Sequence, residues 1–325
     1  MGRGPGRRTA GIVAVFLAMC LLAACGGDDS QPEGPGGKTS LTVGVMATAD
    51  LAPLYMARKD GLFAAEGLTV EPVVASGGAA QIASMVAGDI DITYSNYVSV
   101  LEAAKKGLPL RIIRENNRSG PQGIYAMADG ISKPAELASK KIAVNSLGNI
   151  QELTARAVLQ SYGVDPSTLT FVELPPPEML SALERGDVDA AWLVEPFVTL
   201  ASQTSDVARV VSAFEGPTEN LPVAGWTATE QFVQENPDEV AAFVRAMDEA
   251  MSRAQAHPKA LEQTIPTYTD ISAGLAHQLS EPGLATRSDL SDLDQLEALM
   301  VEHGIIDARL DLDQVVVHGD ELPRG

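Results

Sequence analysis

Two ten-residue stretches constrain this chain most, GDIDITYSNY from Gly88 to Tyr97 and GDVDAAWLVE from Gly186 to Glu195. Each follows a run with apolar residues three and four apart, AAQIASMVA and PEMLSALER, which is helical spacing. Gly88 and Gly186 stop those helices, because glycine takes the left-handed conformation at little cost. A buried-strand pattern follows and ends in polar and aromatic residues: Ser95, Asn96 and Tyr97 in the first copy, Trp192, Glu195 and Phe197 in the second. Ligands of open α/β sheets sit beyond the carboxyl ends of the strands. Two copies of such an edge predict two similar lobes across a cleft. Asp89 with Asp91, and Asp187 with Asp189, read as helix ends and strand starts rather than as catalytic carboxylate pairs.

At the start of the chain, Arg3, Arg7 and Arg8 precede an apolar stretch from Gly11 to Leu22, too short to span a membrane alone. Leu22-Ala23-Ala24-Cys25 then resembles a bacterial lipobox, which implies a lipoprotein signal over 1–24 and a diacylglyceryl group on Cys25. Two acyl chains anchor stably without a spanning helix. Residues 25–39, rich in Gly, Pro and charge, read as a flexible tether. Cys20 falls in the removed segment, so the mature chain has no thiol for a disulfide or thiolate metal site.

From Leu41 onward strands and helices alternate. Strands are expected near Leu41–Val45, Leu68–Val74 and Leu110–Ile113, and helices near Pro53–Lys59, before Gly88 and over Leu101–Lys106. This βαβαβαβ run predicts a mostly parallel sheet. Polar crossings at Arg118–Gly123 and Glu215–Leu221 divide the chain into a discontinuous first lobe, 40–123 with 223–325, and a second lobe, 124–222. Ile131–Lys140 reads as a short helix, and the chain beyond Thr229 as mainly helical, with segments near Ile271–Leu279 and Leu290–His303.

The residues from Leu41 to Ile113 resemble the N-terminal half of the nitrate, sulfonate, taurine and thiamine-pyrimidine family of solute-binding proteins. The resemblance rests on Pro53-Leu54-Tyr55, Gly61-Leu62-Phe63, Glu66-Gly67-Leu68, Gly77-Gly78, Gly88-Asp89-Ile90-Asp91 and Gly107-Leu108-Pro109, in that order. It implies an α/β fold of the two-lobe periplasmic-binding-protein type II. It also implies an extracytoplasmic, lipid-anchored monomer that delivers a small organic solute to an ABC permease. A pyrimidine synthase shares the scaffold, but its cysteine motif has no counterpart here. An enzyme of that kind and a sensory lipoprotein remain the alternatives.

No catalytic, metal or cofactor constellation stands out. A formal charge of −20 argues against nucleic acid as a partner. The candidate ligand residues lie at the expected cleft: Thr48, Asp50, Gly77, Gly78, Ser95, Asn96, Tyr97, Ser146, Gly148, Asn149, Glu195 and Trp226. Gly77 and Gly78 either admit a ligand to backbone amides or form a tight turn. Asn96 fixes a polar ligand group or caps a helix, and Tyr97 and Trp226 stack on a ring or pack. None of these loops carries Lys or Arg, whereas Asp50 and Glu195 are acidic. This ranks a neutral or amino-bearing cyclic solute above an alkanesulfonate, with nitrate lowest. The Cys25→Ser variant is expected to accumulate as an unlipidated precursor. Mass analysis of the membrane fraction checks this, and a wild-type mature protein without acyl mass contradicts it.

Overall fold

The computed structural model describes residues 39–75, 77–204, 206–285, 290–318 and 321–323. The signal segment, Cys25 and all of the tether except Thr39 lie outside the described residues. The strands are β1 (Thr39–Val45), β2 (Leu68–Val74), β3 (Ile92–Asn96), β4 (Leu110–Arg118), β5 (Gly123–Met127), β6 (Lys141–Val144), β7 (Thr170–Glu173), β8 (Ala190–Leu193), β9 (Val207–Ser212) and β10 (Pro222–Thr229). Among the helices are α1 (Ala52–Lys59), α2 (Leu62–Ala65), α3 (Gly78–Ala87), α4 (Tyr97–Lys105), α5 (Ile150–Ser161), α6 (Pro176–Arg185), α7 (Phe197–Thr204), α8 (Glu230–Glu235) and α9 (Pro237–Ala256). Three more follow, α10 (Pro258–Thr264), α11 (Ala273–Ala276) and α12 (Leu293–Glu302).

The strands form two five-stranded sheets, ordered β2-β1-β3-β10-β4 and β7-β6-β8-β5-β9. Both follow one plan. Three parallel strands come first, and the third is the strand that the Gly-Asp stretch leads into. A strand antiparallel to it follows, β10 in one sheet and β5 in the other, and pairs with an antiparallel edge strand. Each sheet is therefore mixed but mostly parallel, with four strands running one way and only β10 or β5 reversed. The reversal arises because β5 and β10 begin where the chain passes from one sheet to the other.

The motif residues act alike in both sheets. Gly88 and Gly186 sit at φ 86° and 73°. After them the amides of Asp89 and Asp187 bond Ser84 O and Ala182 O, closing Schellman turns. Asp91 Oδ2 accepts the Thr42 amide at 2.7 Å, and Asp189 Oδ2 accepts that of Lys141 at 2.9 Å. The amide of each aspartate returns a bond of 2.9 Å, to Thr42 O and Lys141 O respectively. Each carboxylate thus pins the start of its motif strand to the first strand of its sheet.

Elsewhere the elements shift in ways that bear on the site. Helix α4 begins at Tyr97, earlier than expected, because Asn96 caps it through a 2.9 Å bond from the Ser99 amide. The segment 131–140 holds only a 3₁₀ turn, Pro134–Leu137, ended by Ser139 at φ 62°. Around Gly274 only Ala273–Ala276 is helical, as glycine weakens a helix interior. Replacing Asp91 by Ala removes a charge-assisted bond and its ladder anchor, and is expected to cost about 1–3 kcal/mol of stability in urea titration. An unchanged midpoint contradicts the clamp.

Candidate ligand site between the two sheets

At the carboxyl ends of β1, β3, β6 and β8, loops from both sheets meet around a cavity of about 50 Å³. Met46, Thr48, Asp50, Tyr94 and Asn96 line it from the first sheet, and Asn145, Ile150, Gln151, Trp192 and Val194 from the second. Gln122 contributes from the first crossing, and Val223 and Ala224 from the start of β10. Hydrogen bonds join the two sides, among them Ala49 N donating to Glu195 O at 3.0 Å and Ile150 N to Asn96 Oδ1 at 3.3 Å.

Asp50 dominates the electrostatics. It is 5% exposed, and burial raises its carboxyl pKa above the ordinary value, an effect partly offset by Thr48 and Tyr94. The Tyr94 hydroxyl lies within hydrogen-bonding reach of Asp50 Oδ2 and 3.0 Å from Asn117 Oδ1. Asn116 donates to Asp50 O at 3.0 Å. The other carboxylate oxygen, Oδ1, is buried without a hydrogen-bond partner, as is the Thr48 hydroxyl. Thr48 is near enough to favour the ionised acid, but no bond of ordinary geometry joins the two. Among the described residues, the cavity lining contains no Lys or Arg. A buried carboxylate with an unpartnered oxygen, with no cation among the described lining residues, has the chemistry to accept a cationic donor.

Of the candidates from sequence, Thr48, Asp50 and Asn96 reach this cavity. A Cβ on Gly77 would lie 2.5 Å from Ser146 Oγ, and one on Gly78 2.5 Å from Ser95 Oγ. These glycines thus let α3 press against the loops of both sheets. No side chain caps the start of α3, and the Ser95 hydroxyl beside it is buried without a partner. Gly148, at φ 64°, and Asn149 start α5, where Asn149 Oδ1 accepts the amides of Gln151 and Glu152 at 3.0 and 3.2 Å.

Three candidates sit elsewhere. Trp226 is fully buried behind Tyr94, its ring edge-on to Tyr94 and Phe243, and its Nε1 donates to Asn116 Oδ1 at 3.1 Å. It supports the site and offers no face to a ligand. Tyr97 opens α4 fully buried, and burial lifts its hydroxyl pKa well above the ordinary value. The Glu195 carboxylate accepts from Thr199 N, Thr199 Oγ1 and Ser280 N, each at 3.1 Å, so both its oxygens are engaged within the protein. The aromatic walls are instead Tyr94 and Trp192. Strand alternation carried the signal, since Tyr94 shares a strand face with Asn96, and Trp192 lies two residues before Val194. Gln122, Asn145 and Gln151 gave no such signal.

Residues 48–261 match the family described as NMT1/THI5 like. The chain belongs to this family. Among relatives of this NMT1/THI5-like chain is the taurine-binding periplasmic protein of Escherichia coli (strain K12), 26% identical over 223 residues, covering 67% of this chain and 68% of that one. In fold the chain is similar to the alkanesulfonate-binding protein SsuA from Xanthomonas axonopodis pv. citri bound to MOPS. That likeness has a TM-score of 0.74 at 15% identity and covers 87% and 99% of the two chains. The periplasmic nitrate-binding protein NrtA from Synechocystis PCC 6803 gives a TM-score of 0.71 at 17% identity, covering 88% and 91%. The two mixed sheets flanked by helices are thus the fold of periplasmic binding proteins.

A larger cavity, about 880 Å³, shares no residue with this site. It is a groove at the amino end of β4, where Arg111 is already bonded to Glu321 and to Val316 O. Among the described residues, no cluster of His, Cys, Asp and Glu could hold a metal, and no helix is long and apolar enough to cross a membrane.

A raised folded pKa means that Asp50 binds its proton more tightly when folded. Stability therefore falls as pH rises from the ordinary carboxylate value of 3.8 to the folded one. Asp50→Asn removes that loss. In urea titrations without ligand the variant is expected to exceed wild type at pH 7, with the gap closing towards pH 4. A gap independent of pH contradicts burial as the cause.

Proposed function

We propose that this chain is the extracytoplasmic solute-binding protein of an ABC importer, anchored by lipid on Cys25. It takes a small amino-bearing organic solute. The observation that carries the solute's charge is the free, buried Oδ1 of Asp50 in the cavity between the sheets. A solute ammonium there replaces the lost hydration of the carboxylate and gains a charge-assisted hydrogen bond. Taurine, named for one relative, has such a group and a sulfonate besides. The uncapped amides of α3 and the unpartnered Ser95 hydroxyl suit the anionic end. Nitrate has no cationic end and ranks lowest. An aminopyrimidine is the second reading, favoured by the rings of Tyr94 and Trp192 in the lining.

The lobes are 40–123 with 223–325, and 124–222. The crossings between them are joined by a 3.0 Å bond from Ser119 N to Leu221 O. Rotation about these crossings opens the cavity for loading and closes it before a monomer docks on the permease. The relatives named above are binding proteins, which favours capture without chemistry on the solute.

Calorimetry at pH 7 with taurine, ethanesulfonate, an aminopyrimidine and nitrate tests the reading. Taurine and ethanesulfonate differ only in the amino group. An amino-bearing compound is expected to bind best, and Asp50→Asn to weaken it about 10- to 100-fold. Ethanesulfonate or nitrate binding more tightly than either amine, undiminished by Asp50→Asn, overturns it.

A further inference from the structure

A second cavity of about 230 Å³ adjoins the site and shares Met46 and Thr48 with it. Val74 walls it from the first sheet, and Pro175, Pro176, Pro177 and Phe197 from the second. Among the described residues, Thr48 is its one polar lining side chain. The prolines lie at and just before the start of α6, where fixed φ angles hold the wall rigid. Val74 closes β2 and is 60% exposed. The inner cavity, by contrast, has room for only a few waters' worth of atoms. An organic solute whose ammonium reaches Asp50 therefore extends past Met46 and Thr48 into this apolar annex.

Resting on the reading of Asp50 above, we infer that the two cavities form one bipartite site for an amine bearing an apolar substituent. The ammonium pairs with Asp50, and an alkyl or aryl group lies between Val74, the three prolines and Phe197. The annex takes walls from both sheets, so an apolar group in it contacts both sides of the cleft. Chain length beyond the amine then sets specificity, and compounds as short as taurine leave the annex unfilled.

The test is calorimetry on the full-length protein with the n-alkylammonium series from methyl to hexyl. Affinity is expected to rise roughly fourfold per methylene until the annex is filled. Asp50→Asn weakens every member alike. Val74→Asp, at an exposed position in the annex wall, puts a charge beside the apolar group and lowers the gain per methylene. Hexylammonium binding no better than ethylammonium, with both still dependent on Asp50, overturns the annex and leaves the proposed amine site standing. Binding that rises with length but is unaffected by Val74→Asp places the chain elsewhere and also overturns it. Failure of every ammonium ion to bind removes the reading of Asp50 and this inference with it.

Discussion

Asp91 holds the Thr42 amide, and Asp189 holds that of Lys141, each through one carboxylate oxygen. These two clamps fix where β3 and β8 start relative to the first strand of each sheet. With side chains alternating along a strand, a shift of one residue would turn Tyr94 and Asn96, or Trp192, away from the cleft. The position of every ligand-facing side chain on these strands therefore depends on an aspartate at the opposite end of the sheet. The Gly-Asp turn before each clamp has the same geometry in both copies, which is why one sequence pattern gives two sheets of one topology.

The cavity these strands frame is held by polar contacts that are largely satisfied behind its surface. Trp226 and Asn116, Asn116 and the Asp50 carbonyl, and Tyr94 with Asn117 form a buried network one layer back. Such a network sets the orientation of Asp50 without neutralising it, since no cation is among the described residues that line the cavity. A carboxylate in that setting is costly until a cation arrives, and in a low-dielectric site the same burial strengthens the pairing once formed. Asp50 Oδ1 and the Thr48 hydroxyl keep unmet hydrogen-bonding capacity, and both residues line the cavity.

Much of the fold was legible because it is local. Helix spacing, glycine stops and strand patterns placed the elements of both sheets, and the loop positions of Thr48, Asp50 and Asn96 led to the cavity. The rest turned on tertiary facts. Tyr97 looks like a strand end until the Asn96 cap makes it the first residue of a helix. Trp226 pairs with Tyr94 across β10 and β3, and only the packing of Phe243 from α9 decides that it lies in the second layer. Glu195 looks available in sequence, but the amide of Ser280 arrives from 85 residues away to bond its carboxylate. The reversed direction of β5 and β10 depends likewise on which sheet the chain has just left.

The account stands on one contact, between a solute nitrogen and Asp50. A crystal structure of the protein grown with an amino-bearing solute that binds in calorimetry tests it most directly. The account predicts the ligand nitrogen at about 2.7–2.9 Å from Asp50 Oδ1, between Tyr94 and Trp192. A ligand whose nitrogen points away from Asp50, or one seated in the Arg111 groove with the cavity between the sheets unchanged, contradicts it.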